Sequence, residues 1–482
     1  MASRLIRPEL RAGNGSDESQ PHDLGGCEAP AAQGGRNAGP RCERSIHAAQ
    51  STQMRARSLA SRLASAARRR QDAREGPMLT VEGTLRPWSK ILVVITEDWF
   101  ALSHFIPLLS ELRALADRVV VAARSSGRLD EIRALGLEAR DFDMRRGSLD
   151  PRDLKEVRAA VAHLIDEERP DVIHAVALQP MVLVSLALSK TRHRPSAVIL
   201  HLTGRGYLAY ARSPLARLIR AAAHVALRRC TARHNAWLVA ENGDDVAEMV
   251  RARVATPDRT AILPGAGVDP ARFPQMPAPD NRVPRIAYVG RMQRSKGLHV
   301  LIEAHRRLRA RAIAAELSLY GEADAGNREA ILHEVLAGWG AEPGVTWHGR
   351  TADIAGVWRA ADIAVVPHLG GDGMPRAMLE AAACGRPLVV SDVPGCRQFV
   401  RAGTEGLVVP PGNAAALAAA LAKLVSDREL RLQAGAAARR RVVREFTEAA
   451  VRAKTREVYQ AAHRAIAARP FGSGSEAIGN RQ

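Results

Sequence analysis

Two carboxylates, Asp372 and Glu380, bracket the turn Gly373-Met374-Pro375 and are read as a pair able to grip hydroxyl groups. The spacing puts Asp372 in the loop leaving a short apolar strand, and Glu380 inside a helix that runs on through Ala383. A carboxylate accepts hydrogen bonds on both oxygens. The one in the helix can therefore hold both hydroxyls of a ribose, and the one in the loop those of a sugar. The amides of Gly373 and Met374 are expected to stand free as donors to phosphate or sugar oxygens. An acidic helix start that balances the macrodipole would account for Asp372 but not for Glu380.

A second stretch, from Tyr288 to Gly297, passes from a strand through a short loop into a helix beginning near Ser295. Gly290 lets the backbone turn tightly and approach a ligand, and the helix amides point to the same place. Arg291 and Lys296 add two cations, a set that suits a diphosphate. The glycine spacing is neither a dinucleotide fingerprint nor a Walker loop. Taken alone, basic residues at such a turn are more often solvated surface than site.

The elements that must position these residues alternate along the chain. Short apolar strands are expected at 91–95, 119–122, 171–174, 197–200, 237–240 and 261–263, with a helix over 101–116 after the first. A Pro- and Gly-dense stretch, 264–284, reads as a linker. Further strands follow at 285–289, 317–320, 345–347, 363–366 and 388–390, and Ala/Arg-rich helices close the pattern near Arg464. Strands separated by helices require right-handed crossovers and parallel sheets covered on both faces. The fold class is therefore α/β: two doubly wound, Rossmann-like domains with one cleft between the carboxyl ends of their strands.

A length of 482 residues suits two domains, and 46% hydrophobic with 25% charged residues is globular composition. The five cysteines (Cys27, Cys42, Cys230, Cys384, Cys396) form no CxxC pair and flank no ligand-spaced histidine, so neither disulfides nor a zinc site is expected. The net charge of +19 rests on 64 arginines against six lysines, which fits GC-rich coding. Aromatics at 4% leave few stacking platforms for a nucleic acid, and none is expected as a partner. What remains is a basic surface suited to nucleotide phosphates and acidic lipid headgroups. No apolar run approaches the ~20 residues of a membrane span. Residues 1–77 read as a disordered basic tail, with Met78 as an alternative start, and 466–482 as a flexible tail.

The sequence resembles the GT-B retaining glycosyltransferases of family four, whose donor site carries a glutamate, seven residues and a second glutamate. Asp372 and Glu380 occupy these positions, and Pro375-Arg376, 379–387, 392–397, 264–269, 406–411 and Gly290-Arg291 with Lys296 also match. The resemblance runs from about Lys90 to Arg464. It implies an acceptor-binding domain at 88–275, a nucleotide-sugar-binding domain at 276–440, and a helix at 441–465 returning toward the first. By the same resemblance Arg291 and Lys296 neutralise the leaving diphosphate, Glu380 holds the ribose and Asp372 the transferred sugar, with Gly290, Gly373, Met374 and Pro375 in donor contact. The donor is a nucleotide sugar, UDP-linked by preference, with no metal and no cofactor. The acceptor is a glycan or a polyprenyl-diphosphate-linked chain, met in the cytoplasm at the inner face of the plasma membrane. Asp372 is one methylene shorter than the family's usual glutamate, and Gln398 stands where relatives usually carry glutamate.

Segments 97–105, 174–180, 202–207 and 241–245 resemble a subset acting in lipopolysaccharide, capsule or exopolysaccharide assembly. Asp98-Trp99-Phe100 replaces the Gly-Gly loop of many relatives, and Gln179 stands where lysine is common. Of three histidines near the cleft, His201 is best placed for a catalytic contact. His104, His174, Gly204 and Tyr207 are expected on the acceptor side. The basic helix over 213–233 reads either as a membrane-surface face or as a core-packing helix with an arginine-rich exterior. Two other classes stay open: a nucleotide-sugar epimerase or hydrolase of this fold, and a non-catalytic nucleotide-sugar-binding module.

Overall fold

The computed structural model describes residues 86–145, 150–206, 213–323, 327 and 329–467. Seven strands form the first sheet: β1 (Trp88–Glu97), β2 (Ala116–Arg124), β3 (Glu138–Asp141), β4 (Val172–Val176), β5 (Ala197–Leu202), β6 (Ala236–Ala240) and β7 (Thr260–Ile262). Their order is β3-β2-β1-β4-β5-β6-β7. Six more form the second: β8 (Arg285–Val289), β9 (Glu316–Tyr320), β10 (Val345–Trp347), β11 (Ile363–Val366), β12 (Leu388–Ser391) and β13 (Gly406–Val409). Here the order is β10-β9-β8-β11-β12-β13. Every neighbouring pair is parallel.

The period-two alternation of a strand explains how both faces are filled. In β1, Ile91, Val93 and Ile95 pack with Phe105, Leu108 and Leu112 on one side. Leu92 and Val94 pack with Val161, Ile165 and Met181 on the other. In β11, Ala364 and Val366 face one core and Ile363 and Val365 the opposite one. Continuous apolar runs are what a strand covered on both faces requires.

Four details differ from the sequence reading. The helix expected over 101–116 is two, Asp98–His104 and Ile106–Leu115, parted at Phe105. Pro107 lies in the first turn of the second helix, where its missing N–H leaves nothing unsatisfied. Strand β3 is Glu-Ala-Arg-Asp, a charged edge with no apolar run to betray it. The segment 406–411 contains β13 as the opposite edge of the second sheet. The helix expected over 441–465 begins at Glu448 and ends at Ala467, and Arg428–Glu445 is a separate helix before it.

The chain crosses between the sheets twice, and the two crossings are joined. Val268 donates its N–H to Phe446 O at 3.0 Å, and Glu448 returns one to Val268 O at 3.1 Å. Helix Glu448–Ala467 then packs against helix Ile106–Leu115 beside the first sheet. There Arg456 Nε donates to the buried Glu111 Oε1 at 2.7 Å.

Candidate active site

In a doubly wound sheet the strand order reverses between two central strands, and the loops leaving their carboxyl ends splay apart to make a crevice. In the second sheet those strands are β8 and β11. Their outgoing loops carry Gly290 to Lys296 and His368 to Pro375. The loops are stitched together: Leu369 donates its N–H to Ser295 O at 2.8 Å. Gly297 has φ +71, and a Cβ there would lie 1.9 Å from Pro367 O, so only glycine allows the crossing. A 3-10 turn, Arg294–Lys296, precedes helix Leu298–Ala310, which starts three residues later than the sequence suggests.

This crossing delivers Lys296 onto Asp372. Lys296 Nζ lies 2.7 and 2.5 Å from the two carboxylate oxygens of Asp372. His368 Nδ1 lies 2.6 Å from Asp372 Oδ2. Burial pulls the Asp372 carboxyl upward, but Lys296 and His368 outweigh it and hold the group well below its ordinary range. Burial and the charge of Lys296 lower His368 against the pull of Asp372. Arg291 lies over Trp99 of the helix that follows β1, its guanidinium carbon 5.9 Å from the ring centroid.

Glu380 sits in helix Arg376–Ala383, buried, with Arg376 Nε 2.8 Å from its Oε1 one turn away. Burial raises its carboxyl, opposed by Arg376 and Arg272. Arg376 also reaches the other sheet, donating from Nη1 to Ser103 O.

The first sheet closes on the same turn. Gly373 donates its N–H to Thr203 O at 3.0 Å, and Gly206 donates to Gly371 O at 2.9 Å. Met374 donates to Glu241 Oε2 at 2.7 Å, and Asn242 Nδ2 to Gly373 O at 3.3 Å. The expectation of free amides at Gly373 and Met374 is thus overturned, because polar groups of the first sheet already satisfy both. Gly204 lies against this turn, where a Cβ would meet Gly371 O at 2.3 Å.

The histidines separate. His104 belongs to the crevice, where burial and the charges of Arg376, Arg291 and Lys296 push its imidazole down to about 3. Its Nδ1 pairs with Ser103 Oγ at 2.7 Å, and Phe100 lies 5.0 Å away, ring to ring. His174 and His201 are 1% exposed and lie in the core. His174 Nδ1 meets Tyr459 Oη at 2.8 Å, and its Nε2 meets His201 Nδ1 at 3.2 Å. Tyr207 lies outside the described residues. Among the described residues, no three His, Cys, Asp or Glu side chains gather in a group able to hold a metal ion.

Gly290, Arg291, Lys296, Asp372, Gly373, Met374, Pro375 and Glu380 therefore share one carboxyl edge, with His104 and Gly204 opposite. Sequence reasoning missed His368 and the Arg376–Glu380 pair, and had Glu241 only as the start of the resembling segment 241–245, without its contact to Met374. The i,i+4 spacing of Arg376 and Glu380 on a helix was a legible signal. Nothing local announces the contact of Glu241 with Met374, which is 133 residues away.

Residues 105–266 match the glycosyl transferase 4-like domain, and residues 283–427 match glycosyl transferases group 1. The chain belongs to the group 1 glycosyltransferases. The enzyme is 29% identical over 315 residues to the glycogen synthase of Mycobacterium tuberculosis, covering 61% of this chain and 70% of that one. It is 34% identical over 217 residues to the D-inositol 3-phosphate glycosyltransferase of Pseudarthrobacter chlorophenolicus, covering 42% and 50%. Its structure resembles that of Anabaena HepE in complex with UDP-glucose, with a TM-score of 0.61 at 19% identity over 77% of this chain and 99% of that one. That likeness is one of fold, and the fold is GT-B.

Proposed function

We propose that the enzyme transfers a sugar from a UDP-sugar, with retention at the anomeric carbon and without a metal ion, to a glycan or polyprenyl-diphosphate-linked acceptor in cell-surface polysaccharide synthesis. The observation that carries this reading is the ion-paired cluster of Lys296, Asp372 and His368, with Arg291 beside it at the switch point of the second sheet. An ammonium has three donors, and two of those on Lys296 are drawn to Asp372. The third, with Arg291, serves the negative charge that grows on a departing diphosphate. Asp372, kept anionic by its partners, faces the positive charge that grows on the sugar ring. Fixed charges in place before the reaction are what such a transition state needs. Glu380 supplies ribose contacts. Retention needs no protein base if the acceptor proton passes to the leaving phosphate oxygen, which agrees with His174 and His201 lying in the core.

Among the described residues no helix is long and apolar enough to cross a membrane. Helix Pro214–Arg233 exposes Leu215 at 60% and Leu218 at 66%, next to Arg217. This face supports peripheral contact with an anionic membrane, where lipid-linked acceptors reside.

The test is thermal stabilisation of the whole chain by UDP-, GDP- and ADP-sugars in EDTA. Ligand at ~100 Kd adds about 2.7 kcal/mol to stability. A shift with UDP-sugars that disappears in Lys296→Ala is expected. No shift with any of the three sinks the reading. Donor breakdown that is indifferent to every acceptor points instead to a hydrolase or epimerase.

A further inference from the structure

Glu241 follows β6 on the first sheet, yet its carboxyl group touches the second. It is 6% exposed, and Oε2 takes the Met374 N–H at 2.7 Å. The approach is so close that a Cβ on Gly373 would lie 2.2 Å from the same oxygen. Pro375 has no N–H, so Gly373 and Met374 are the two amides this turn offers beyond Asp372. Thr203 O takes the first and Glu241 the second. A carboxyl oxygen accepting a backbone amide beside Lys296 and Asp372 has the acceptor chemistry of a phosphate or sugar oxygen.

Resting on the donor reading above, we propose that Glu241 sets donor affinity by competing with a donor oxygen for the Met374 amide. Burial and neighbouring charges favour exchange over permanent clamping. The carboxyl is removed from water, and two other acids, Asp372 and Asp245, lie close enough to act on it. Burial raises Glu241 to about 8, opposed by the Met374 amide and reinforced by Asp372 and Asp245. Asp372 is in turn held by Lys296 and His368, and Asp245 by Arg205 at 3.0 Å. A Glu241 released to water titrates near its ordinary value of 4.5. Forming the contact therefore takes up a proton between about pH 4.5 and 8, and the contact weakens as pH rises through that window.

The experiment measures donor and acceptor KM from pH 6 to 9 in wild type, Glu241→Ala and Glu241→Gln, alongside donor-induced thermal shifts. Glu241→Ala is expected to lower donor KM about three- to tenfold, the worth of one net hydrogen bond, with no matching change in acceptor KM. Wild-type donor KM falls as pH rises toward 8, whereas that of Glu241→Gln, which accepts but cannot ionise, stays flat. A Glu241→Ala enzyme with raised donor KM, or a Glu241→Gln enzyme that keeps the wild-type pH slope, overturns the competition. If Glu241→Ala does not fold, the Glu241→Gln slope alone decides. A wild type and variants that all fail to bind any nucleotide sugar would instead remove the donor reading itself.

Discussion

The two sheets share one strand order, yet their switch points are built from different chemistry. At β8 and β11 the outgoing loops hold Lys296 and His368 each within 3 Å of Asp372, with the Arg376–Glu380 pair on the helix that follows. Beside β4 and β5 the buried neighbourhood is aromatic and neutral. Phe105 meets His201 edge-on at 5.6 Å, His201 meets His174, and His174 meets Tyr459. The second edge keeps fixed charges in place, while burial keeps the histidines of the first uncharged, although against burial Ser126 and Arg128 hold the Asp98 carboxyl just beyond β1 below its ordinary range. On the proposed reading, the charged edge meets the ionic groups of the donor, while the buried histidines of the other serve its core.

The sharpest way to break that comparison is Lys296→Ala. Removing one preorganised donor from such a site costs about 10²–10³ in turnover, and Asp372 also loses the cation that keeps it ionised. The expected result is that loss in kcat for sugar transfer by the folded enzyme, with some fall in melting temperature as Asp372 loses its counter-charge. A collapse of stability with intact turnover of the folded fraction would invert the roles assigned to the edges. Glu380→Ala comes next, with kcat/KM for the donor falling by about 10- to 100-fold, the range for hydrogen bonds to a charged group. Unimpaired turnover in the folded variant would remove the ribose assignment.

The first edge responds to acid instead. Burial holds His174 well below its ordinary value and His201 at about 3. Between about pH 6.5 and 3 the unfolded chain binds protons that the folded chain refuses, so stability falls as pH drops. For His201 alone the cost from pH 7 to 5 is about 2 kcal/mol. Urea midpoints at the two pH values measure it, and His201→Asn should flatten the difference. Smallest is Tyr459→Phe, which removes the hydroxyl facing His174 and costs about 1 kcal/mol. A Tyr459→Phe enzyme with altered donor affinity would show that the two edges are not separable in this way.

Much of this was legible in sequence wherever the signal is local. All the strands except β3 and β13 announce themselves as apolar runs, and the block from Asp372 to Glu380 carries its loop-then-helix layout in its spacing. What escaped depends on the fold bringing distant residues together. Asp372 and Lys296 are 76 residues apart, and their ion pair exists because loops from β8 and β11 cross at Gly297. His174 and His201 close the strands expected at 171–174 and 197–200, which suggested a cleft, but β4 runs on to Val176 and β5 to Leu202. Only the helix ending at Ala467 reveals that their side chains point into a core instead. Edge strand β3 was invisible for the opposite reason, since charged residues suffice where one side needs no partner.

Val458, Tyr459 and Ala462 of the closing helix are each less than 5% exposed and complete the core against β1, β4 and β5. The first sheet thus borrows part of its interior from residues synthesised almost 200 positions after its last strand. On a ribosome, β1 to β7 emerge early but lack that surface until the second sheet has been made and its return crossing has paired with Val268. The first half must wait, partly open, for the last helix to arrive. During synthesis, the interval in which this chain is open to aggregation and to chaperones is set by its far end.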